Sequence, residues 1–317
     1  MPSKAQTLEW EGRRLVPAGI ATLLAVALLI GGAFVSGPIH GDDKAEILRA
    51  ADEHGAALIA SGIMQALGFV LLAFPLVVLF RAVRARSDRV RVQLIGLIVA
   101  APLFFAVATL LNAPATKDAA SQFVAGQAKS TLTKPEAAKE CRSDLKDKGA
   151  KPFGEEFEAA KGETALAACE TDKVENDEAD NAISEQTLTN VAEGFSLGGR
   201  LGLAVALLYT CLFAMRVGLL SRFWGSLGMA LGAAALLGLV LFLVIWFIYF
   251  ALLLLGRLPG GRPPAWAAGE AIPWPTPGEK AAAELEPEDP SDPPSNGNGN
   301  GSSGESGGER RKRKQRD

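Results

Sequence analysis

Residues Ala56–Phe80 read AALIASGIMQALGFVLLAFPLVVLF, a run of 25 residues without one charged side chain. The hydrocarbon core of a bilayer is roughly 30 Å thick, and about 20 helical residues are enough to cross it. Five arginines follow directly within residues 81–91, so the run ends at a strongly basic connection. The run therefore predicts a membrane-spanning helix that stops at this connection.

Four other runs have a similar length and composition. They are Pro17–Ser36, Gln93–Asn112, Phe195–Ala214 and Gly225–Leu255. Arg200 is the only charged residue within any of the five runs. A signal peptide is the alternative for the first run, but its apolar stretch is longer than the usual signal core, which favours a retained helix. The sequence predicts an all-α fold, a polytopic transmembrane helix bundle.

The distribution of Arg and Lys indicates the orientation. Cytoplasmic connections carry an excess of these residues. The connection after the second run holds five: Arg81, Arg84, Arg86, Arg89 and Arg91. We therefore expect this connection and the N-terminus in the cytoplasm of a multi-pass cell-membrane protein, with Gly37–Gly55 and Ala113–Gly194 facing outward.

The last run decides between five and six spans. As one helix, Gly225–Leu255 would be roughly 46 Å long at 1.5 Å per residue, which overshoots the bilayer core. A hairpin from Leu219 to Leu258 with its turn near Gly238 would give two short spans instead. The chain ends in a basic cluster, residues 310–316, which favours the cytoplasmic side and hence an even number. We predict six spans, with five as the alternative, and both termini in the cytoplasm.

These boundaries divide the chain into five segments. They are a cytoplasmic N-terminus (1–16), the first three transmembrane helices (17–112), an extracytoplasmic helical insertion (113–194), the remaining transmembrane helices (195–258) and a disordered cytoplasmic tail (259–317). In the insertion, Thr116 and Thr133 each have the features of a helix start. The acidic stretch Glu170–Asp180 is expected to be mobile, and a short helix is predicted within Gly41–Gly55.

Two of the three cysteines lie in the insertion. Cys141 and Cys169 share the side assigned as outside, where disulfides persist. A bridge would close a loop of about 28 residues and would stabilise it by about 3 kcal/mol in the chain-entropy model. Two unpaired thiols are the alternative. Cys211 lies within a span and is assigned to packing.

Glycines recur at four-residue spacing in the later spans. They are Gly194, Gly198 and Gly202 in one segment and Gly228 and Gly232 in the next. This small-xxx-small pattern allows helix backbones to approach closely in lipid. We predict helix packing within the chain at these positions, with dimerisation as the alternative.

Polar side chains within the spans are few. Arg200, Gln65 and Tyr209 form the candidate polar site, because intramembrane charges and amides mark possible functional positions. A structural role for Arg200 is the other interpretation, and the acceptors within reach at the outer rim are Glu193, Asp52, Glu53 and His54. His40 and His54 are too few for a metal site. We identify no catalytic residue, no metal ligand and no cofactor motif.

The end of the chain is Pro-rich, then Gly/Asn/Ser-rich, then basic, a composition typical of disorder. The basic end is expected to bind anionic lipid of the bilayer rather than nucleic acid. Before it, Trp266 and Trp274 lie among prolines in a stiff arm, which either lies along the inner membrane face as a clamp or is an ordinary exit linker.

Two stretches, residues 216–228 (RVGLLSRFWGSLG) and 256–275 (GRLPGGRPPAWAAGEAIPWP), resemble a family of bacterial multi-pass membrane proteins without assigned activity. The likeness covers mainly the last third of the chain. It implies a six-helix bundle and supplies no catalytic residue. The family members have a Pro/Gly turn between the last two helices, which this chain lacks.

Two hypotheses about function follow. The first is a non-enzymatic structural or interaction protein of the membrane, whose outer cap and inner arm are interaction surfaces; the sequence does not identify the protein partner. The alternative is a small-solute transporter with a polar cavity near Gln65, Arg200 and Tyr209. A polar cavity would favour transport, and a solid bundle would favour the first hypothesis.

Overall fold

The computed structural model describes residues 3–37, 39, 43–147, 157–239 and 242–275. Within these ranges the chain forms helices and no strands. The helices are α1 (Lys4–Val35), α2 (Lys44–Glu53), α3 (Gly55–Arg86), α4 (Leu94–Val124), α5 (Lys134–Asp147), α6 (Phe157–Ser184), α7 (Thr187–Arg216), α8 (Arg222–Leu236), α9 (Leu243–Leu255) and α10 (Pro264–Ala268). The predicted all-α fold is confirmed.

Helices α1, α3, α4 and α7 are long and apolar enough to cross a membrane. Each has 30 to 32 residues, about 45–48 Å, so each extends beyond a core of roughly 30 Å. Four such helices are typical of a membrane-embedded protein. Helix α1 begins well before Pro17 because Ser3 and Gln6 form a capping box, each side chain accepting a backbone N–H of the other residue.

The packing order of the helices closes a ring. Helix α1 packs on α3, α3 on α4, α4 on α7, α7 on α8, α8 on α9, and α9 returns to α1. Helices α1 and α7 do not touch each other within the described residues, so α8 and α9 fill the gap between them. The core of this ring contains large buried side chains, which include Phe80, Ile98, Leu207, Trp246 and Phe250.

Helices α8 and α9 form an antiparallel hairpin. Trp224 near the start of α8 stacks on Tyr249 in α9, with ring centroids 3.6 Å apart, and the Trp246 indole N–H donates to the Trp224 carbonyl at 3.0 Å. In one continuous helix, residues 25 apart would be separated by about 37 Å. Gly238 adopts a positive φ of 82° at the end of α8, as expected for the turn.

The two helices of this hairpin are shorter than the predicted 18 residues. Helix α8 has 15 residues and begins at Arg222, because the Ser221 hydroxyl caps it by accepting the Trp224 N–H. Helix α9 has 13 residues and ends at Gly256, which is left-handed with φ 71°. At 1.5 Å per residue, α8 is about 22 Å and α9 about 20 Å long.

The connections between helices segregate to two ends of the bundle. The end that we call the arginine-rich end holds the N-terminus of α1, the 87–93 connection, the 217–221 turn and residues 256–275. The other end carries the layer that we call the cap, formed by α2, α5, α6 and the last two turns of α4, with a small core of its own around Leu48, Ala119 and Phe123. The predicted insertion is therefore helical, and it packs on α2.

Close helix contacts occur at four of the five predicted packing glycines. A Cβ atom on Gly202 would lie 2.9 Å from the Ala101 Cβ of α4, and one on Gly198 would lie 3.0 Å from the Phe104 ring. On α8, Gly228 faces Trp246 and Cys211, and Gly232 faces Leu207. Gly194 is different, because nothing lies within 4 Å of the position of its Cβ. The contacts at Gly198 and Gly202 join α7 to α4.

Three local expectations differ from the structure. Thr116 begins no new helix, because α4 continues through it and its hydroxyl donates to the Asn112 carbonyl at 2.9 Å. The acidic stretch Glu170–Asp180 is part of α6, where several of its carboxylates have partners. Residues 259–275, assigned to the disordered tail, form an ordered segment that contains α10. Residues 276–317 lie outside the described part of the chain.

Candidate functional site

The segment of residues 256–275, which we call the arm, is hydrogen-bonded to the 217–221 turn. The Trp266 indole N–H donates to the Leu219 carbonyl at 3.0 Å, and the Trp274 indole N–H donates to the Leu220 carbonyl at 2.8 Å. The backbone N–H of Ile272 donates to the Val217 carbonyl at 3.2 Å. These bonds fix the arm against the turn between α7 and α8. The arm is therefore held on the bundle by several bonds, and its place at the inner membrane face stays a prediction.

A buried ion pair joins the arm to α1 and α3. Arg86 at the end of α3 binds both carboxylate oxygens of Glu11 in α1, and the bond from Nη2 to Oε2 is 3.0 Å long. The two side chains are 0% and 2% exposed. The guanidinium also donates to the Ala265 carbonyl of the arm at 2.9 Å and lies 5.7 Å from the centre of the Trp266 ring. The pair therefore ties together three separate segments.

Two further contacts hold the arm. Arg262 donates to the last carbonyls of α9, with its Nε 3.1 Å from the Leu253 oxygen and an additional bond to Leu254, so it caps that helix. Burial lowers the pKa of the Arg262 guanidinium, and the negative charge of Glu11 opposes this shift. Lys4 pairs with Glu270 at the surface. The arm is thus fixed at both of its ends and in its middle.

We call the bonds that hold the arm (from Trp266, Trp274 and Ile272 to the 217–221 turn, and from Arg86 to Ala265) the clamp. The clamp joins the two stretches on which the family resemblance rests. Residues 216–228 supply the turn carbonyls and the start of α8, and residues 256–275 supply the indole donors that bind these carbonyls. Leu219 and Leu220 are completely buried although they lie outside any helix. The two tryptophans of the arm therefore have a direct structural role, since they fix the arm at the arginine-rich end of the bundle.

A cavity of about 730 Å³ lies inside the ring, between the hairpin turn and the cap. Five helices contribute to its wall, with α8 as the exception. Representative lining residues are Leu29, Ala33, Phe69, Phe105, Leu203 and Phe247. Gln65 is the one polar side chain among its described lining residues. The cavity is therefore apolar, unlike the polar cavity that a small-solute transporter would need.

The three residues of the candidate polar site lie apart. Gln65 faces the cavity beside Gly32 of α1. Tyr209 lies at the arginine-rich end, where its hydroxyl donates to the Arg89 carbonyl and accepts the Arg91 N–H, both at 3.3 Å. Arg200 does not line the cavity, and its buried Nε has no hydrogen-bond partner within the described residues. The structure does not unite these side chains into one site.

Arg200 also lacks the acceptors expected from the sequence. Glu193 and the residues 52–54 make no ion pair with it in the part of the chain that the structure describes. On α7, Arg200 precedes Ala204 by four residues and Leu207 by seven, and both of these residues contact α8 at Gly232. Residues at these spacings share one helix face. Arg200 therefore lies on the side of α7 that faces the hairpin, at about the level of its turn.

The cap is cross-linked and hydrogen-bonded. Cys141 and Cys169 are at disulfide distance, with their Cα atoms 6.0 Å apart, as the sequence predicted for this pair. The Asp177 carboxylate accepts the Ser130 hydroxyl at 2.7 Å and the backbone N–H groups of Thr131 and Leu132 at 2.7 and 2.9 Å. These bonds lower the pKa of Asp177, the one from Ser130 most strongly. They hold the 130–132 connection on α6.

Ion pairs then fasten α6 to α2. Arg49 donates to Glu175 at 2.6 Å, Lys44 pairs with Asp180, and the Asn176 side chain accepts the Ala45 N–H at 3.2 Å. All of the charged groups are partly exposed, so each pair contributes little individually. Together with the disulfide between α5 and α6, they join three helices of the cap to one another.

Glu11 and Arg86 are the main site residues that sequence reasoning missed. Arg86 was counted with its four neighbours as a basic connection, and Glu11 was placed in the N-terminal segment before the first span. A usable signal was present: Thr7, Glu11 and Leu15 recur at four-residue spacing after the Ser3–Gln6 capping box. That pattern indicates a helix that begins before Pro17 and buries one face, with Glu11 on it.

The described residues contain no group of three or more His, Cys, Asp or Glu side chains that is close enough to hold a metal ion. His40 lies outside these residues, and His54 has one ring nitrogen 3.2 Å from the Ala50 carbonyl. Comparisons of the chain with protein-family models, with curated proteins and with solved structures find no match. The function must therefore be argued from the geometry of the molecule.

Proposed function

We propose that the chain is a non-enzymatic integral membrane protein of the bacterial cell membrane that works as a structural or interaction protein. Its surfaces for partners are the cap, outside, and the arm with the tail that follows it, inside. The observation that carries this proposal is the clamp. The arm is fixed at the arginine-rich end of the bundle by two indole donors, by the Ile272 N–H and by the buried Arg86 guanidinium. An ordinary linker does not need so many fixed contacts.

The same clamp argues against the alternative of solute transport. A permeation route has to pass the arginine-rich end, where Trp266 and the Glu11–Arg86 pair are buried. Above them the cavity is lined by apolar side chains, and Gln65 is the one polar side chain among the described lining residues. A polar or ionic solute would lose its hydration there without gaining partners. We therefore prefer the interaction role to the transporter.

The proposed topology places the arginine-rich end in the cytoplasm. Four of the five arginines of residues 81–91 are exposed at this end, in accord with the bias of cytoplasmic connections. The α8–α9 hairpin begins and ends at the same end of the bundle. Both termini are therefore cytoplasmic in this proposal, whether α8 and α9 cross the membrane completely or in part. We propose six membrane-embedded helices, of which α8 is about 22 Å and α9 about 20 Å long.

The tail follows the arm in the sequence, so the proposed topology assigns it to the cytoplasm. Its basic residues, 310–316, would bind anionic lipid, which is abundant in the cytoplasmic leaflet. The proposed partners are therefore anionic lipid for the tail and proteins for the cap and arm, and we propose no role in nucleic-acid binding.

In-cell cross-linking followed by mass spectrometry tests this function. We compare the wild type with the double variant Trp266→Ala/Trp274→Ala, which removes both indole donors. The wild type should give reproducible cross-links from the cap and the arm to defined proteins, and the variant should lose those of the arm while retaining those of the cap.

Two results would overturn the proposal. One is the absence of any reproducible protein cross-link to either surface. The other is solute accumulation in vesicles reconstituted with the wild type, above the level in protein-free vesicles, in an unbiased uptake screen. The second result would establish the transporter in its place.

A further inference from the structure

The cavity results from the short hairpin. Helices α1 and α7 are each about twice as long as α8 or α9, and only the hairpin fills the gap between them. The contacts of Gly232 with Leu207 and Ala204 place the end of α8 near the middle of α7. Among the described residues, none of the ring helices therefore closes the side between α1 and α7 above the hairpin turn, towards the cap.

This opening lies at the depth of the hydrocarbon core. Its rim carries large apolar side chains that are exposed: Phe34 is 78% exposed, Leu237 is 80% and Phe242 is 52%. Residues 195–214 of α7 and 17–36 of α1, which flank the gap, are mostly apolar, and Arg200 is the one charged residue among them. The material that adjoins the opening in a bilayer is thus the acyl region of the leaflet on the cap side.

Water is a poor occupant for this cavity. A buried water needs two to four polar partners, and the described lining offers only the side chain of Gln65. The volume of about 730 Å³ is within the roughly 300–1,000 Å³ of typical ligand sites. Within the described part of the chain, the Gln65 amide makes no hydrogen bond. The lining therefore fits a long apolar group that carries one hydrogen-bonding function.

We propose that the cavity is a lipid-binding site that takes an acyl chain of a phospholipid from the leaflet on the cap side. The chain enters between α1 and α7 above the hairpin turn and packs on Leu29, Phe69, Phe105 and Phe247. The Gln65 amide binds the ester group of the same lipid. The lipid completes the wall that the short hairpin leaves open, so it is a specific component of the bundle.

Native mass spectrometry of the full chain, purified in mild detergent with added phosphatidylglycerol, tests this site. Ala33→Trp places an indole at the cavity, on a residue that is exposed and lines it. Ala27→Trp is the matched control, because Ala27 is on the same helix, is exposed and does not line the cavity. The wild type and Ala27→Trp should retain one bound phospholipid, and Ala33→Trp should lose it.

Three outcomes of this experiment would overturn the proposal: no lipid retained by the wild type, retention by both variants, or loss from both. If Ala33→Trp does not fold, a phospholipid with a diazirine in its acyl chain gives the answer on the wild type. Saturable adducts on Phe69 or Leu72 support the site. Adducts only on outward residues such as Leu24 and Leu201 contradict it.

Gln65→Leu separates the two parts of the ligand. The variant keeps the cavity apolar and removes the amide, so it should retain phospholipid but release it at a lower detergent-to-lipid ratio than the wild type. Unchanged retention would show that the amide does not bind the lipid and would overturn that part of the proposal.

Discussion

Arg84 and Arg86 lie two residues apart on α3 and have opposite environments. Arg84 is exposed, whereas the Arg86 side chain is completely buried against Glu11 and Ala265. Removing one member of a buried ion pair leaves an uncompensated charge, which costs about 3–5 kcal/mol. We predict that Arg86→Gln lowers the free energy of unfolding in detergent by about this amount.

Arg84→Gln is the control, and its effect should stay within about 0.5 kcal/mol, as is usual for surface positions. The double variant Glu11→Gln/Arg86→Gln should recover part of the loss, because no isolated charge then remains. Equal melting of the Arg84 and Arg86 variants would show that the pair has no structural role.

Single residues also show what a sequence can predict. The pairing of Cys141 and Cys169 could be predicted because both residues share one polar segment on one side of the membrane. The hydrogen bonds that hold the arm could not be predicted, since their acceptors are the main-chain carbonyls of Leu219 and Leu220, and any residue supplies a carbonyl. Sequence identifies the two indole donors, but only tertiary structure selects their partners.

At the scale of elements, glycine contacts determine how closely α7 approaches α4. A Cβ on Gly202 would lie 2.9 Å from the Ala101 Cβ, closer than real side chains pack. We predict that Gly202→Leu separates the helices and lowers the stability in detergent by about 1–3 kcal/mol, as overpacking usually does. Gly194→Leu on the same helix should leave the melting temperature unchanged. The same shift for both variants would mean that helix propensity, not packing, is responsible.

In the cap, Asp177 links the 130–132 connection to α6. Its pKa is lowered by the hydrogen bonds that it accepts, so the folded state favours the carboxylate. This stabilisation is complete above the ordinary value of 3.8 and is lost as the pH falls through the lower pKa of the folded state. We predict that the hydrogen-exchange protection of the Thr131 and Leu132 amides falls on acidification below about pH 4.

Asp177→Asn is the control for this titration. The variant should have lower protection of both amides at neutral pH and should show no further loss from that cause on acidification. Protection that is the same in variant and wild type between pH 6 and pH 3 would contradict the role of Asp177.

Element existence could be predicted from hydropathy, but element limits could not. The apolar runs identify the long helices. However, α4 continues beyond Asn112 into polar sequence, and α7 begins in polar sequence before Phe195. An apolar run is limited by the thickness of the membrane, whereas a helix ends at a capping residue or a helix-breaking residue. The cavity escaped prediction for a related reason, because it depends on the exact lengths of α8 and α9.

At the scale of the whole molecule, the hairpin is a segment that enters and leaves at one end. Its turn carries exposed apolar side chains, of which Leu237 is 80% exposed. Exposed leucine is stable in hydrocarbon and unfavourable in water. We predict that a cysteine at Leu237, in a chain with Cys211→Ala, does not react with a charged maleimide from either side, because the reagent stays in water and a thiol in hydrocarbon stays protonated. Rapid labelling by the charged reagent from outside would show that the turn reaches the outer aqueous phase.

The central claim is that the cap lies on one side of the membrane and both the arm and the N-terminus lie on the other. The most direct measurement is the labelling of one introduced, unpaired cysteine by an impermeant maleimide in intact cells and after permeabilisation, with the Cys141–Cys169 pair kept oxidised. The chain carries Cys211→Ala, with cysteine introduced at Glu178 in the cap, at Ser87 in the arginine-rich connection, or at Gly260 in the arm. We predict labelling of Glu178→Cys in intact cells, and of Ser87→Cys and Gly260→Cys only after permeabilisation. Labelling of Gly260→Cys in intact cells, with Ser87→Cys still protected, would contradict the account.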